Sequence, residues 1–149
     1  MSSSIGGFGM TAMGVANDLS DLATRIDEVT ATGVTCVELP LYDLDCVIAG
    51  RIYRPQLEAV KRITADRGLT YTVHGPHPIN FFDDVFRLPR HVDVLKASME
   101  AAAELKAVHY VVHAGMMPLI QSEGRDAAYD RQREYLSRAG DYAKALGLY

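Results

Sequence analysis

The chain has 149 residues, 48% hydrophobic and 23% charged, with 12 glycines, 6 prolines and no tryptophan. That length suits one domain spanning 1–149, and the composition excludes a largely disordered chain, a collagen or a disulfide-stapled miniprotein. With 15 Lys plus Arg against 19 Asp plus Glu, the net charge of −4 offers no global basic field for nucleic acid or anionic lipid.

Short apolar runs alternate with longer amphipathic ones along the chain. Ile5 to Met10 is a glycine-rich run that holds a first strand. Leu19, Leu22, Ile26 and Val29 then recur at helical spacing, with Asp18 or Ser20 as the cap and Gly33 as the stop. Val34 to Leu39 is a second strand, closed by Pro40. A second helix opens at Arg54-Pro55, buries Leu57, Val60 and Ile63, and ends at Gly68. Leu69 to His74 is a third strand, followed by a loop with Gly75, Pro76 and Pro78. Pro89 leads a helix whose inner face is Val92, Leu95, Met99 and Ala102. Val108 to His113 is a fourth strand. The last helix starts near Asp126, with Tyr129, Gln132, Leu136, Ala139, Ala143 and Leu146 on one side and Gly147 as its stop. Leu148-Tyr149 falls where another strand is expected.

The order βα, repeated in units of roughly 30 to 40 residues, is that of parallel crossover connections, so the fold class is α/β. The strands are nearly continuous in apolar character, which predicts a sheet covered on both faces. Two architectures compete: a small open doubly wound sheet, and the (βα)4 half of a TIM (β/α)8 barrel, which in full takes about 250 residues.

In either architecture a ligand site lies at the carboxyl ends of the strands, where Glu38, His74 and His113 fall. A lone strand-end histidine is commonly structural. A matched pair on neighbouring strands converges on one point and suits a divalent metal such as zinc or manganese, or positions a proton donor. His77 lies in a loop stiffened by Pro76 and Pro78 and reads either as a substrate contact or as an exposed loop histidine. Asn80 can bind a sugar hydroxyl, hold His74 in one tautomer, or simply serve the turn. Glu38 reads as a base or hydroxyl acceptor, or as a carboxylate bonded to nearby backbone. His91, near a helix start, and His109, at the beginning of a strand, are weaker candidates.

Several classes fall away. Gly6-Gly7-Phe8-Gly9 lacks dinucleotide-binding spacing, and neither a GxxxxGK[ST] phosphate loop nor a GxSxG elbow is present. Arg51, Arg54, Lys61, Arg62 and Arg67 are explained by a solvated outer helix face. Cys36 and Cys46 lack CxxC spacing and read as reduced thiols. No apolar run is long enough for a membrane span, and Met1-Ser2-Ser3-Ser4 lacks the charged start of a signal peptide. The expectation is a cytoplasmic protein acting on a small molecule.

Gly33-Val34-Thr35-Cys36-Val37-Glu38-Leu39, Tyr71-Thr72-Val73-His74-Gly75-Pro76 with Ile79-Asn80, and Tyr110-Val111-Val112-His113-Ala114-Gly115 resemble the second, third and fourth strand motifs of the xylose isomerase-like TIM barrels. That superfamily includes sugar phosphate isomerases/epimerases and endonuclease IV-type repair enzymes. The resemblance covers nearly the whole chain but only the amino-terminal half of the family's fold. It implies a divalent metal (Zn, Mn or Mg) in the complete fold and a sugar or sugar phosphate as substrate. In the endonuclease IV branch, histidines matching His74 and His113 bind zinc. In the isomerase/epimerase branch, the metal is held by Glu, Asp, His and Glu on later strands, none of which lies within these 149 residues. A catalytic zinc takes three protein ligands plus an open position, so two histidines fall short and the chain by itself is expected to be inactive.

The candidate catalytic residues are therefore Glu38 and His74, the candidate substrate contacts His77 and Asn80, and the candidate metal ligands His74 and His113. The leading expectation is a sugar phosphate isomerase/epimerase-like half. Its rivals are a zinc-dependent phosphodiesterase acting on damaged DNA and a non-catalytic half-barrel that binds or assembles. Unpaired edge strands in a half-barrel also raise a homodimer joined through them, or a fragment of a longer reading frame.

Overall fold

The computed structural model describes residues 8–113, 115–118 and 124–149. The first strand, β1 (Gly9–Thr11), starts at the end of the glycine-rich run; Ile5 to Gly7 and Met1 to Ser4 lie outside the described residues, as does Ala114. Helix α1 (Leu22–Thr30) buries Leu22 and Ile26. It starts later than the expected caps allow. Leu19 is buried but sits in the preceding turn with φ +60°, and Asp18 Oδ1 accepts the Ser20 N–H at 3.0 Å instead of capping the helix. Asp21 takes the N-cap position, but its carboxylate accepts the Ala16 N–H at 2.8 Å.

Strand β2 (Cys36–Pro40) includes Pro40 as its last paired residue, opposite His74. The segment between it and the next helix contains a hairpin the sequence reading passed over, β3 (Val47–Ile48) and β4 (Arg51–Ile52). Its two-residue turn, Ala49-Gly50, has φ +51° and +76°, the left-handed pair that matches strand twist in short hairpins. Helix α2 (Arg54–Thr64) opens with Pro55 in its first turn, as expected, and buries Leu57 and Val60. Strand β5 (Thr70–His74) leads to helix α3 (Leu88–Glu104), which buries Leu95, Met99 and Ala102 with Ala97, Ser98 and Ala101 beside them. Strand β6 (His109–Val111) is shorter than the expected Val108 to His113. Helix α4 (Arg125–Ala145) buries Ala128, Gln132 and Ala139; Tyr129, expected inside, is 48% exposed and rests edge-on against Phe82.

The four main strands form one parallel sheet in the order β1-β2-β5-β6, each connection carrying a helix. Among the described residues, helices cover one face of that sheet. Val37 and Leu39 of β2 and Tyr71 and Val73 of β5 are buried in the core with α1, α2 and α3, whereas the alternating Cys36, Glu38, Thr72 and His74 are half-buried. The expectation of a sheet buried on both faces is thus corrected: with a side-chain period of two, one set packs on the helices and the other faces an open concavity. A doubly wound sheet would carry helices on both sides; this arrangement is the (βα)4 half of a TIM barrel.

At the far end, the chain begins to extend this sheet. Tyr149 donates its N–H to Val108 O (3.2 Å) and accepts the Tyr110 N–H (2.9 Å), the bonding of a parallel neighbour opposite His109. The cations of α2 and its flanks lie largely in ion pairs, Arg54 with Glu104, Lys61 with Glu58 and Arg67 with Asp27. No described helix is long and apolar enough to cross a membrane.

Candidate functional site

Register brings the site together. Thr11, Glu38, Thr72 and His109 share one layer across the sheet, and Pro40, His74 and Val111 the next one up. Glu38 and His74 therefore sit on the open face of adjacent strands, one layer apart, and His113 follows two residues beyond the end of β6.

Glu38 Oε1 accepts the Thr11 hydroxyl at 2.8 Å and lies 3.0 Å from His74 Nδ1. An ionised carboxylate can only accept, so Nδ1 carries a hydrogen, and in the neutral tautomer that this selects His74 Nε2 keeps its lone pair. That nitrogen faces His113 Nε2 at 2.6 Å. Desolvation, then the neighbouring His77 and His74, hold the His113 imidazole below its ordinary value of 6.5, favouring the neutral form that can donate a lone pair.

His77 comes back over the pair from the proline-stiffened loop, its ring 4.4 Å from that of His113 and 5.2 Å from that of His74. Tyr42 packs its ring 4.4 Å from His77 on the other side. Burial, with Asp43 and Glu38 nearby, raises the Tyr42 pKa above 10.0, so it stays a neutral phenol. Tyr42 and Thr11 were not singled out in the sequence. The first lies two residues past Pro40 at the active end of β2, a signal that was available; the second becomes visible only through the β1–β2 register.

Asn80 does not hold the His74 tautomer; Glu38 does. The Asn80 amide instead ties two loops together: Oδ1 accepts the N–H groups of Phe82 and Met116, both at 3.1 Å, and Nδ2 donates to Met116 O at 2.9 Å. It lines an open cavity of about 370 Å³ with His77, Pro78, His113 and Met116, within the range that accommodates small ligands. His91 is bound to Asp83 at 3.0 Å, and His109 faces Tyr149 one layer below the cluster; neither joins it. A larger groove of about 570 Å³ between α3 and α4, lined by Lys96, Tyr135, Arg138 and Tyr142, lies on the outer helical side away from the imidazoles.

The chain matches a known family: the model for the xylose isomerase-like TIM barrel covers residues 26–149. The chain belongs to that family. Similar solved structures include a D-tagatose 3-epimerase-like protein, 18% identical with a TM-score of 0.70 over 95% of this chain and 50% of that one. An L-ribulose 3-epimerase is 20% identical, TM-score 0.69, over 95% and 47% respectively. The endonuclease IV of Thermus thermophilus is 19% identical, TM-score 0.55, over 94% and 46%. The chain thus spans about half the length of each. Such identities establish the shared fold, while function has to be argued from the site. No curated protein matches the chain at a significant level.

Proposed function

We propose that this chain supplies the amino-terminal half of a metal-assisted isomerase or epimerase acting on a sugar or sugar phosphate, as a single domain over 1–149. The observation that carries the reading is the convergence of His74 and His113, one oriented by Glu38, beside an open cavity at the strand ends. Neutral imidazoles suit a divalent metal, and the epimerases among similar folds favour sugar chemistry. Two free thiols, one of them buried, fit a reducing cytoplasmic compartment.

When bound, the metal supplies Lewis acidity toward a carbonyl and its adjacent hydroxyl. The chain's own residues do the rest. His74 and His113 hold the ion, and Glu38 fixes the His74 tautomer through Oε1. Glu38 Oε2, which has no partner among the described residues, accepts from a substrate hydroxyl. Asn80 retains one amide hydrogen for a second hydroxyl at the cavity wall. Moving a proton at carbon needs a base that the family resemblance places on later strands, so this half binds and orients without completing turnover.

The test combines metal titration calorimetry with a chromatographic assay of ketohexose epimerisation. Uptake of a divalent metal that is lost in His74→Ala and His113→Ala, without turnover, is the expected result; epimerisation by the chain alone would overturn the prediction of inactivity. The competing reading, a zinc phosphodiesterase on damaged DNA, uses the same imidazole pair, and cleavage of an abasic-site duplex would favour it. A stable dimer that takes up no metal would favour a non-catalytic assembly module.

A further inference from the structure

Three imidazoles meet at the mouth of the half-barrel, although the strand pattern accounts for only two of them. One ring nitrogen from each of His74, His77 and His113 lies within 4.8 Å of the other two. The rings meet at 78° (His74–His77), 70° (His77–His113) and 45° (His74–His113), so no two lie flat on one another. His77 is placed for this role by its backbone and its neighbours. Pro76 and Pro78 restrict the loop on either side of it, and Tyr42 braces the ring from outside.

We propose that His77 is the third ligand of a divalent cation, making a three-imidazole site that closes within this half-barrel and needs no ligand from elsewhere. The inference rests on the metal-assisted reading above, and it moves His77 from substrate contact to ligand. Neither ring nitrogen of His77 has a hydrogen-bond partner among the described residues, so none of these competes for its lone pair. Two ligands on tetrahedral zinc, each at about 2.0–2.1 Å, stand about 3.3 Å apart. The nitrogens here span separations from 2.6 Å for His74–His113 up to 4.8 Å for the set, bracketing that value. Modest ring rotations, opening the close pair and drawing His77 inward, bring all three to bonding distance.

The donor set also selects the ion. All three ligands are nitrogen, and the nearest oxygen of Glu38, Oε1, is engaged by His74 and Thr11. Borderline ions such as zinc or cobalt fit such a site, whereas magnesium, which demands oxygen donors, does not. Three protein ligands leave a fourth position for a carbonyl or hydroxyl oxygen, the arrangement of catalytic rather than structural zinc.

The experiment uses the purified chain titrated with Zn²⁺, Co²⁺ and Mg²⁺, followed by calorimetry and by the visible absorption of the cobalt form. One zinc per chain, an intense tetrahedral cobalt spectrum and no magnesium uptake are expected. His77→Ala is expected to weaken zinc binding by more than about 100-fold, beyond the loss typical of an outer-sphere partner, and to abolish the cobalt bands. His91→Ala, outside the cluster, should change neither. Zinc-edge X-ray absorption on the unsubstituted chain counts the imidazoles without relying on any variant; three support the proposal and two overturn it. If His77→Ala binds zinc as the parent does while His74→Ala and His113→Ala fail, the ligand role of His77 is overturned and the metal-assisted reading stands. If the parent chain binds neither zinc nor cobalt, both fall.

Discussion

A single carboxylate oxygen sets the protonation pattern of the imidazole cluster. Glu38 Oε1 takes a hydrogen from Thr11 and another from His74, so the His74 nitrogen turned toward His113 is bare. Glu38→Gln removes the charge behind that preference and should lower zinc affinity by about 10- to 100-fold, read by calorimetry, with nitrogen NMR showing a second His74 tautomer. Unchanged affinity would mean that Glu38 does not orient the ligand. Burial pushes the Cys46 thiol from 9.0 up to about 12, and the Tyr110 phenol from 10.0 up to about 12 despite its bond to Ser98. Both groups hold their protons more tightly folded than unfolded. Their stabilising effect is full below about pH 9 and is lost as pH rises toward 12, by at most about 1.4 kcal/mol per pH unit for each group. Urea midpoints measured across that range should fall, and Cys46→Ala should remove the part of the fall that begins near 9. At this scale Glu38, His74 and His113 are legible in the sequence because each sits at the end of an apolar run. Thr11 is not, since its meaning comes from a strand register that the sequence leaves open.

Between β5 and β6 the decisive element is a close approach. Gly75 donates its N–H to Val111 O at 2.9 Å, and a Cβ at position 75 would lie 2.3 Å from the Tyr110 hydroxyl. Gly75→Ala must therefore push the Tyr110 ring or the third and fourth parallel strands apart. A loss of about 1–3 kcal/mol in denaturant melts is expected, with weaker metal uptake because His74 is the adjacent residue. A variant as stable as the parent would show that the two strand ends yield freely. The helices were readable from apolar spacing and from Pro55 and Pro89, and only the start of α1 was misplaced, because Asp18 and Asp21 spend their carboxylates on loop N–H groups. The strands were readable too, but the inference that both sheet faces are buried was wrong. The alternation in Thr70-Tyr71-Thr72-Val73-His74 carried the answer: every second residue is polar, and those residues face the open side. The Val47–Ile52 hairpin was missed because two-residue strands have too short a pattern to register, although Ala49-Gly50 is a recognisable tight turn.

As a whole, the described residues form a half-barrel that leaves its inner face and its first strand, β1, without cover among them. Val111 is 39% exposed and Met10 47%, both on edge strands where a barrel would continue. Self-association of the isolated chain is therefore expected, visible in light scattering as a mass that rises with concentration; a constant single-protomer mass would remove the dimer joined through these edges. The half-barrel architecture follows from the order and length of the βα units, and the chain's 149 residues match about half of a barrel. The sequence offered His77 as a contact held over the site by its prolines or as an exposed loop histidine; it is both exposed and beside the other two rings, an arrangement that depends on how a loop folds back rather than on any strand period. In parallel pairing, partners on adjacent strands point the same way, and Tyr149 stands opposite His109. Any polypeptide continuing from Tyr149 in that alignment would set its second residue level with Val111 and its fourth level with His113, delivering alternate side chains straight to the imidazole rim.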